Sequence, residues 1–394
     1  MSSKHQPTPS PRRRLSWNDP ATRSLIYQAL VLGLVGLGLW VLVSNTLHNL
    51  AARNISTGFR FLGDEAGFAI SESVIGYSPD QTYARAILVG VANTLKVSIV
   101  GIVLATLLGT LLGIARLSSN WLVARVAGAY VEIMRNIPLL LQLFFWYAII
   151  TQSLPSPRQA LHPLPGVYLS NRGLVVPGMV GDAFDWILGG IGVAILAIIV
   201  LAHWARKRQE ATGEIFPVAR AGLGLLIAFP FLGWLLSGAE FIFDVPELKG
   251  FGFRGGATLS PEFTALTVGL VVYTTAFIAE VVRSGIQAVN RGQWEAADSL
   301  GLRRSRVLRL VVLPQALRVI IPPMTSQYLN LIKNSSLAVA IGYPDIVAIV
   351  NTTLNQTGQA IEGILIIMAA YLTVSLSISI FMNWYNARIA LTER

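Results

Sequence analysis

The stretch AEVVRSGIQAVNRGQWEAADSLGLRRSRVLRLVVLPQALRVIIPP, Ala279 to Pro323, decides how the rest of the chain is read. Asn290 is placed to cap a short helix through Glu295, Ala296 and Ala297, Gly301 to end it in a left-handed turn, and a second amphipathic helix to run on to Pro314. This helix, turn and helix has two readings. Arg303, Arg304, Arg306 and Arg309 suit DNA phosphates in a groove, and they suit equally a cytoplasmic loop gripped by another protein. The flanks decide between them. Phe263–Val282 and Ile320–Ile341 are apolar at close to membrane-spanning length, and a DNA reader is not strung so tightly between membrane helices.

Composition agrees with the flanks. Of the 394 residues 53% are hydrophobic and only 13% charged, against about 25% charged in soluble domains. The chain reads as an integral membrane protein, so its formal net charge of +10 marks cytoplasmic loops rather than nucleic acid. It has no cysteine, which excludes a disulfide framework, a thiolate nucleophile and a cysteine metal site. His5, His48, His162 and His203 are scattered without ligand spacing.

Outward from the loop, hydropathy and basic residues give an all-α membrane fold of about eight transmembrane helices with both termini cytoplasmic. Residues 1–24 read as a basic cytoplasmic tail carrying Arg12, Arg13 and Arg14. Residues 25–86 add an N-terminal span, Leu25–Val43, and a periplasmic loop; residues 87–150 form the first part of a core. Residues 151–262 are inserted periplasmic loops with two extra spans, Trp186–Trp204 and Ala221–Ser237, and residues 263–394 complete the core. Pro138 is expected to kink the span Tyr130–Ile150, and Pro322 and Pro323 to break or kink the one from Ile320. Thr151–Asp185 and Tyr343–Glu362 read as external loops. Gly250, Gly252 and Gly255 match a dinucleotide fingerprint by accident, since no strand precedes them and no helix follows at once.

Little here suits catalysis. The lysines are Lys4, Lys96, Lys207, Lys249 and Lys333, none after a glycine, so there is no P-loop, and neither HExxH nor GxSxG occurs. A protein that moves a solute must then draw energy from a gradient or a partner. Glu280 and Arg283, three apart, suit a salt bridge at the inner boundary. Lys333 lies well inside an apolar run beside Asn330, Asn334, Ser335 and Ser336, and a charge there must face a polar cavity or a partner residue. These five are the candidate substrate path.

The order AEVVRSGIQAV, GQWEAADSLGL, Leu313-Pro314 and NLIKNSSL, with IMRNIPLLLQLFFWY at Ile133–Tyr147, resembles the polar amino-acid family of ABC importer permeases, the histidine and glutamine permease type. The extra spans resemble the enlarged permeases of general L-amino acid importers. The resemblance implies a type I ABC importer transmembrane domain in a bacterial cytoplasmic membrane. Glu295, Ala296, Ala297, Gly301, Leu313 and Pro314 would then be the EAA coupling helix that docks on an ATPase. It further implies a dimer of ABC ATPase subunits holding ATP and Mg, a related second permease or second copy, and a periplasmic amino-acid-binding protein, with no cofactor in this chain and membrane lipid around it. The competing reading is a gradient-driven secondary transporter or channel. That class needs intramembrane acids or discontinuous repeat helices, and the spans offer only Glu132 and Glu280 near their ends.

Overall fold

A computed structural model of the chain describes residues 20–52, 58–179, 183–214, 216–238, 243–250 and 252–389. Arg12, Arg13 and Arg14, which mark the expected N-terminal cytoplasmic tail, lie outside these residues. The helices are α1 (Pro20–Ala52), α2 (Tyr83–Ala115), α3 (Trp121–Asn136), α4 (Leu139–Ala148), α5 (Ala183–Thr212) and α6 (Val218–Ser237). They continue with α7 (Pro261–Gln287), α8 (Arg291–Ser299), α9 (Arg304–Val307), α10 (Leu313–Asn334), α11 (Ile346–Thr357) and α12 (Ala360–Ile389). Among the described residues seven helical runs are long and apolar enough to cross a membrane, and α3 with α4 makes eight if that bent pair is one span.

The core is built on α2 and α7, which run parallel. Small residues let their backbones meet: a Cβ on Gly113 would lie 2.8 Å from the Ala279 carbonyl oxygen and 2.8 Å from Val282 Cβ. At that end Glu280 of α7 holds both Arg283, at 2.5 Å, and Arg116 of α2, so the expected Glu280–Arg283 pair is a three-charge tie between helices. Helix α10 returns antiparallel, with Thr106 Oγ1 donating to Tyr328 Oη at 3.0 Å and Leu331 packed on Gly101.

At the opposite end a strap, residues 58–82, folds back over α2. The Glu72 carboxylate accepts from Lys96 Nζ and from Ser260 Oγ, both at 2.5 Å, and Lys96 sits 4.3 Å over the Phe263 ring. The intramembrane lysine is therefore neutralised inside the protein, as burial of a charge requires. Asn93 binds the carbonyls of Glu72 and Pro344 at 2.8 Å each, joining strap, α2 and the lead into α11.

Four expectations are corrected. The span Tyr130–Ile150 is two helices bent by 104°, and the first begins at Trp121. A residue before proline avoids the helical region, and Ile137 is extended at φ −95°, ψ 126°, so Pro138 breaks the helix rather than kinking it; Gln142 Nε2 then donates to the freed carbonyls of Met134 and Ile137. Pro314 ends no helix: a π turn at Leu308–Val312, with its longer-range bonding, leads straight into α10. That helix also continues through Pro322 and Pro323. Tyr343–Glu362 is no plain loop but carries α11, capped by Asp345, whose Oδ1 accepts from the Ala348 N–H at 2.8 Å.

Among the described residues the β structure lies in the segments expected to be external. Strands β1 (Leu161–Leu164), β2 (Val167–Ser170), β3 (Gly173–Val176), β4 (Gly178–Met179), β5 (Phe243–Asp244), β6 (Glu247–Lys249), β7 (Gly252–Arg254) and β8 (Ala257–Leu259) form one antiparallel sheet in the order β1-β2-β3-β8 and two short pairs, β4-β5 and β6-β7. The accidental glycine motif runs from the turn of the β6-β7 pair at Gly250 through β7 to Gly255 just beyond it, and is not a strand-to-helix phosphate loop.

Candidate functional site: the α8 turn and the end of α10

The short helix α8 is built as its sequence reads. Asn290 Oδ1 accepts from the Gly292 N–H at 2.8 Å, satisfying a free first-turn donor. At the other end Gly301 adopts φ +68°. Its N–H reaches the Asp298 carbonyl at 2.9 Å and the Leu302 N–H reaches that of Ala297 at 3.4 Å, the paired bonds of a Schellman end.

The structure divides the six candidate coupling residues. Ala297 is 3% exposed and packs into a cluster with Val289, Val307, Val312 and Ala316 of its own chain. Glu295, Ala296, Gly301, Leu313 and Pro314 are exposed. Beside them Leu300, the residue before the turn, leaves 78% of its surface uncovered. Sequence reasoning passed over Leu300, although a leucine held between Ser299 and a helix-ending Gly301, at the tip of a charged loop, has little to pack on locally. An uncovered apolar tip on a loop that also carries exposed Glu295, Arg303 and Arg304 suits a docking knob with a polar rim.

The loop is mechanically joined to α10. Gln315 Nε2 donates to Gln293 Oε1 at 3.3 Å, and a Cβ on Gly285 would sit 2.3 Å from Ile320 Cγ1, so the start of α10 packs against both α7 and α8. Helix α10 then runs unbroken to Asn334, about 30 Å from Pro314 at 1.5 Å per residue.

At its far end the five candidate path residues separate. Asn330 and Lys333 are exposed and Asn334 half-buried. Ser335 is buried and donates to the Ile332 carbonyl at 2.7 Å; Ser336 donates to that of Lys333 at 2.7 Å, so both hydroxyls satisfy the end of α10. Among the described residues Lys333 has no ion-pair partner. It follows Leu331, which contacts Gly101 roughly halfway along α2, so the free ammonium stands near mid-depth of the bundle.

Comparison with known proteins fits this arrangement. Residues 225–391 match the family described as binding-protein-dependent transport system inner membrane component. A general L-amino acid transport system permease protein of Rhizobium johnstonii is 49% identical over 382 residues, covering 97% of this chain and 96% of that protein. A putative amino-acid ABC transporter permease protein of Escherichia coli K12 is 50% identical over 386 residues, covering 96% and 97%. A probable glutamine ABC transporter permease protein of Bacillus subtilis is 32% identical over 214 residues, which cover 95% of it but only 53% of this chain. With half its residues shared end to end with such permeases, and a multi-pass helical core closed by a capped helix and left-handed turn, the chain belongs to the amino-acid permeases of ABC transporters.

Proposed function

We propose that the chain is one permease of a general L-amino acid importer of the bacterial inner membrane, working by alternating access driven by ATP hydrolysis in a partner subunit. The free ammonium of Lys333 carries this reading. A cation near mid-depth is costly unless it meets a polar path or a partner charge, and a carboxylate is the group all amino acids share. Asn330 and Asn334 supply donors beside it. An ATPase dimer that holds ATP and Mg docks at Glu295, Ala296 and Leu300, with Gly301, Leu313 and Pro314 shaping the loop. Its closing and reopening moves α8, and α10 transmits the displacement toward Lys333.

A second permease, or a second copy, completes the path, because Lys333 is exposed on one side of a single chain. A periplasmic binding protein delivers solute to the opposite end. The length of the two relatives at about half identity, and the general substrate range named for one of them, favour a broad substrate set. The test is uptake by proteoliposomes holding the assembled transporter, with a panel of labelled acidic, polar and apolar L-amino acids. Uptake of several classes, lost with Lys333→Met at unchanged binding-protein affinity, is expected. Transport without ATP, or wild-type rates in Lys333→Met, overturns it.

A further inference from the structure

The helices α5 and α6 pack on each other far more extensively than on any other element. Their backbones touch at glycines: a Cβ on Gly190 would lie 2.5 Å from the Phe229 carbonyl oxygen, and one on Gly233 2.3 Å from that of Trp186. Toward the core this hairpin leaves a groove of about 590 Å³ between α5 and α12. Its walls are apolar along most of their length, with Ile195 and Ile199 on α5 facing Phe381 on α12. Toward the end that bears the basic loops the lining changes to His203 and Arg206 on α5 and Trp384 on α12. Positions 195, 199 and 206 share one helical face, so apolar wall and basic mouth form one continuous surface.

The charges on α5 are sorted around the helix. Arg208 is held by Glu214 at 2.8 Å and lies 5.4 Å over the Trp204 ring. Arg206, on the groove side, enters no ion pair among the described residues. The groove thus ends in a guanidinium that is unpaired among the described residues, with an indole across from it, at the level where spans meet water. At membrane depth the phase available to fill an apolar groove is acyl chain, and a basic mouth between membrane helices selects an anionic headgroup.

We propose that this groove binds one anionic phospholipid, its acyl chain against Ile195, Ile199 and Phe381 and its phosphate on Arg206 and His203 beside Trp384. The lipid fills the gap through which the added hairpin meets the core. Lys207, next to Arg206, extends the positive field that favours the anionic over the zwitterionic headgroup.

The full chain, purified in mild detergent and stripped by detergent exchange, is incubated with vesicles of phosphatidylethanolamine containing phosphatidylglycerol, and retained lipid is read by native mass spectrometry. One phosphatidylglycerol per chain is expected, held about fivefold or more weakly after Arg206→Glu and unchanged after Arg208→Gln. Equal retention of both lipids, or wild-type retention by Arg206→Glu, overturns the proposal. So does release of the lipid by millimolar inorganic phosphate, which would make the site a general anion site. Loss of the lipid when a second permease is added would assign the groove to a protein helix instead.

Discussion

Replacing Leu300 by Ala separates docking from folding, because the native chain puts almost nothing against this side chain. Leucine 300 is 78% exposed. Full burial of a leucine side chain stabilises by about 1.5–3 kcal/mol, so covering the exposed fraction at an interface contributes about 1–2 kcal/mol, roughly five- to thirtyfold in affinity. Leu300→Ala should weaken association of the ATPase with the chain in lipid nanodiscs by that factor, measured by biolayer interferometry. Its melting temperature should stay at the wild-type value, since exposed positions shift stability by about 0.5 kcal/mol or less. Ala297→Leu is the opposite case. At 3% exposure within its own chain's cluster, it overpacks by about 1–3 kcal/mol and lowers the melting temperature. An affinity unchanged within twofold in Leu300→Ala, or a fall in its melting temperature, refutes the assignment of Leu300 as the knob.

Three further outcomes are expected. Gly113→Leu drives a side chain into the Ala279 carbonyl and Val282 and should cost about 1–3 kcal/mol of thermal stability; Gly128→Ala, with nothing within 4 Å, should not. Glu72→Gln strips Lys96 of its counter-ion and loosens the strap by about 1–2 kcal/mol, since the pair is largely but not fully buried; a double-mutant cycle with Lys96→Met that shows no coupling denies the tie. Burial pushes the Asp345 carboxyl up to about 7, against the opposing pull of the Ala348 N–H, while an unfolded aspartate titrates near ~3.9. The native state then holds the proton that the unfolded state has lost, so thermal stability falls as pH rises from about 4 to about 7 and levels off above. Asp345→Asn keeps the cap and removes that slope; melts between pH 5 and 8 that slope as in wild type exclude Asp345 as its source.

How far the sequence could be read depends on how local the determinants are. Asn290, Gly301 and the apolar runs act through bonds a few residues away, so the capped α8, its left-handed end and the spans were legible. The Glu280–Arg283 pair is likewise one helical turn, but its third member, Arg116, comes from 164 residues away and no spacing announces it. Pro314, Pro322 and Pro323 mislead because a proline's effect depends on whether neighbouring turns absorb the missing N–H; the π turn before Pro314 does so, while Pro138 lies where the chain bends away. The strap looks like a plain loop in the sequence because its order comes from Glu72 meeting Lys96 and Ser260. In the four-stranded β-sheet, β3 pairs with β8 across the α5–α6 hairpin, a pairing beyond any local alternation. Within the coupling motif, only packing reveals that Ala297 faces inward while its neighbour Ala296 faces out.

The most direct measurement places one cysteine, Ala296→Cys, in this otherwise cysteine-free chain and oxidises it to a disulfide with a single cysteine on the docking surface of the ATPase subunit. ATP-driven amino-acid uptake is then followed in proteoliposomes. If the ATP cycle enters at the α8 turn, the bridge forms, uptake stops while it is intact, and reduction restores the rate. Uptake that continues with the bridge closed, or a transporter that works fully while no bridge can be made, contradicts the account.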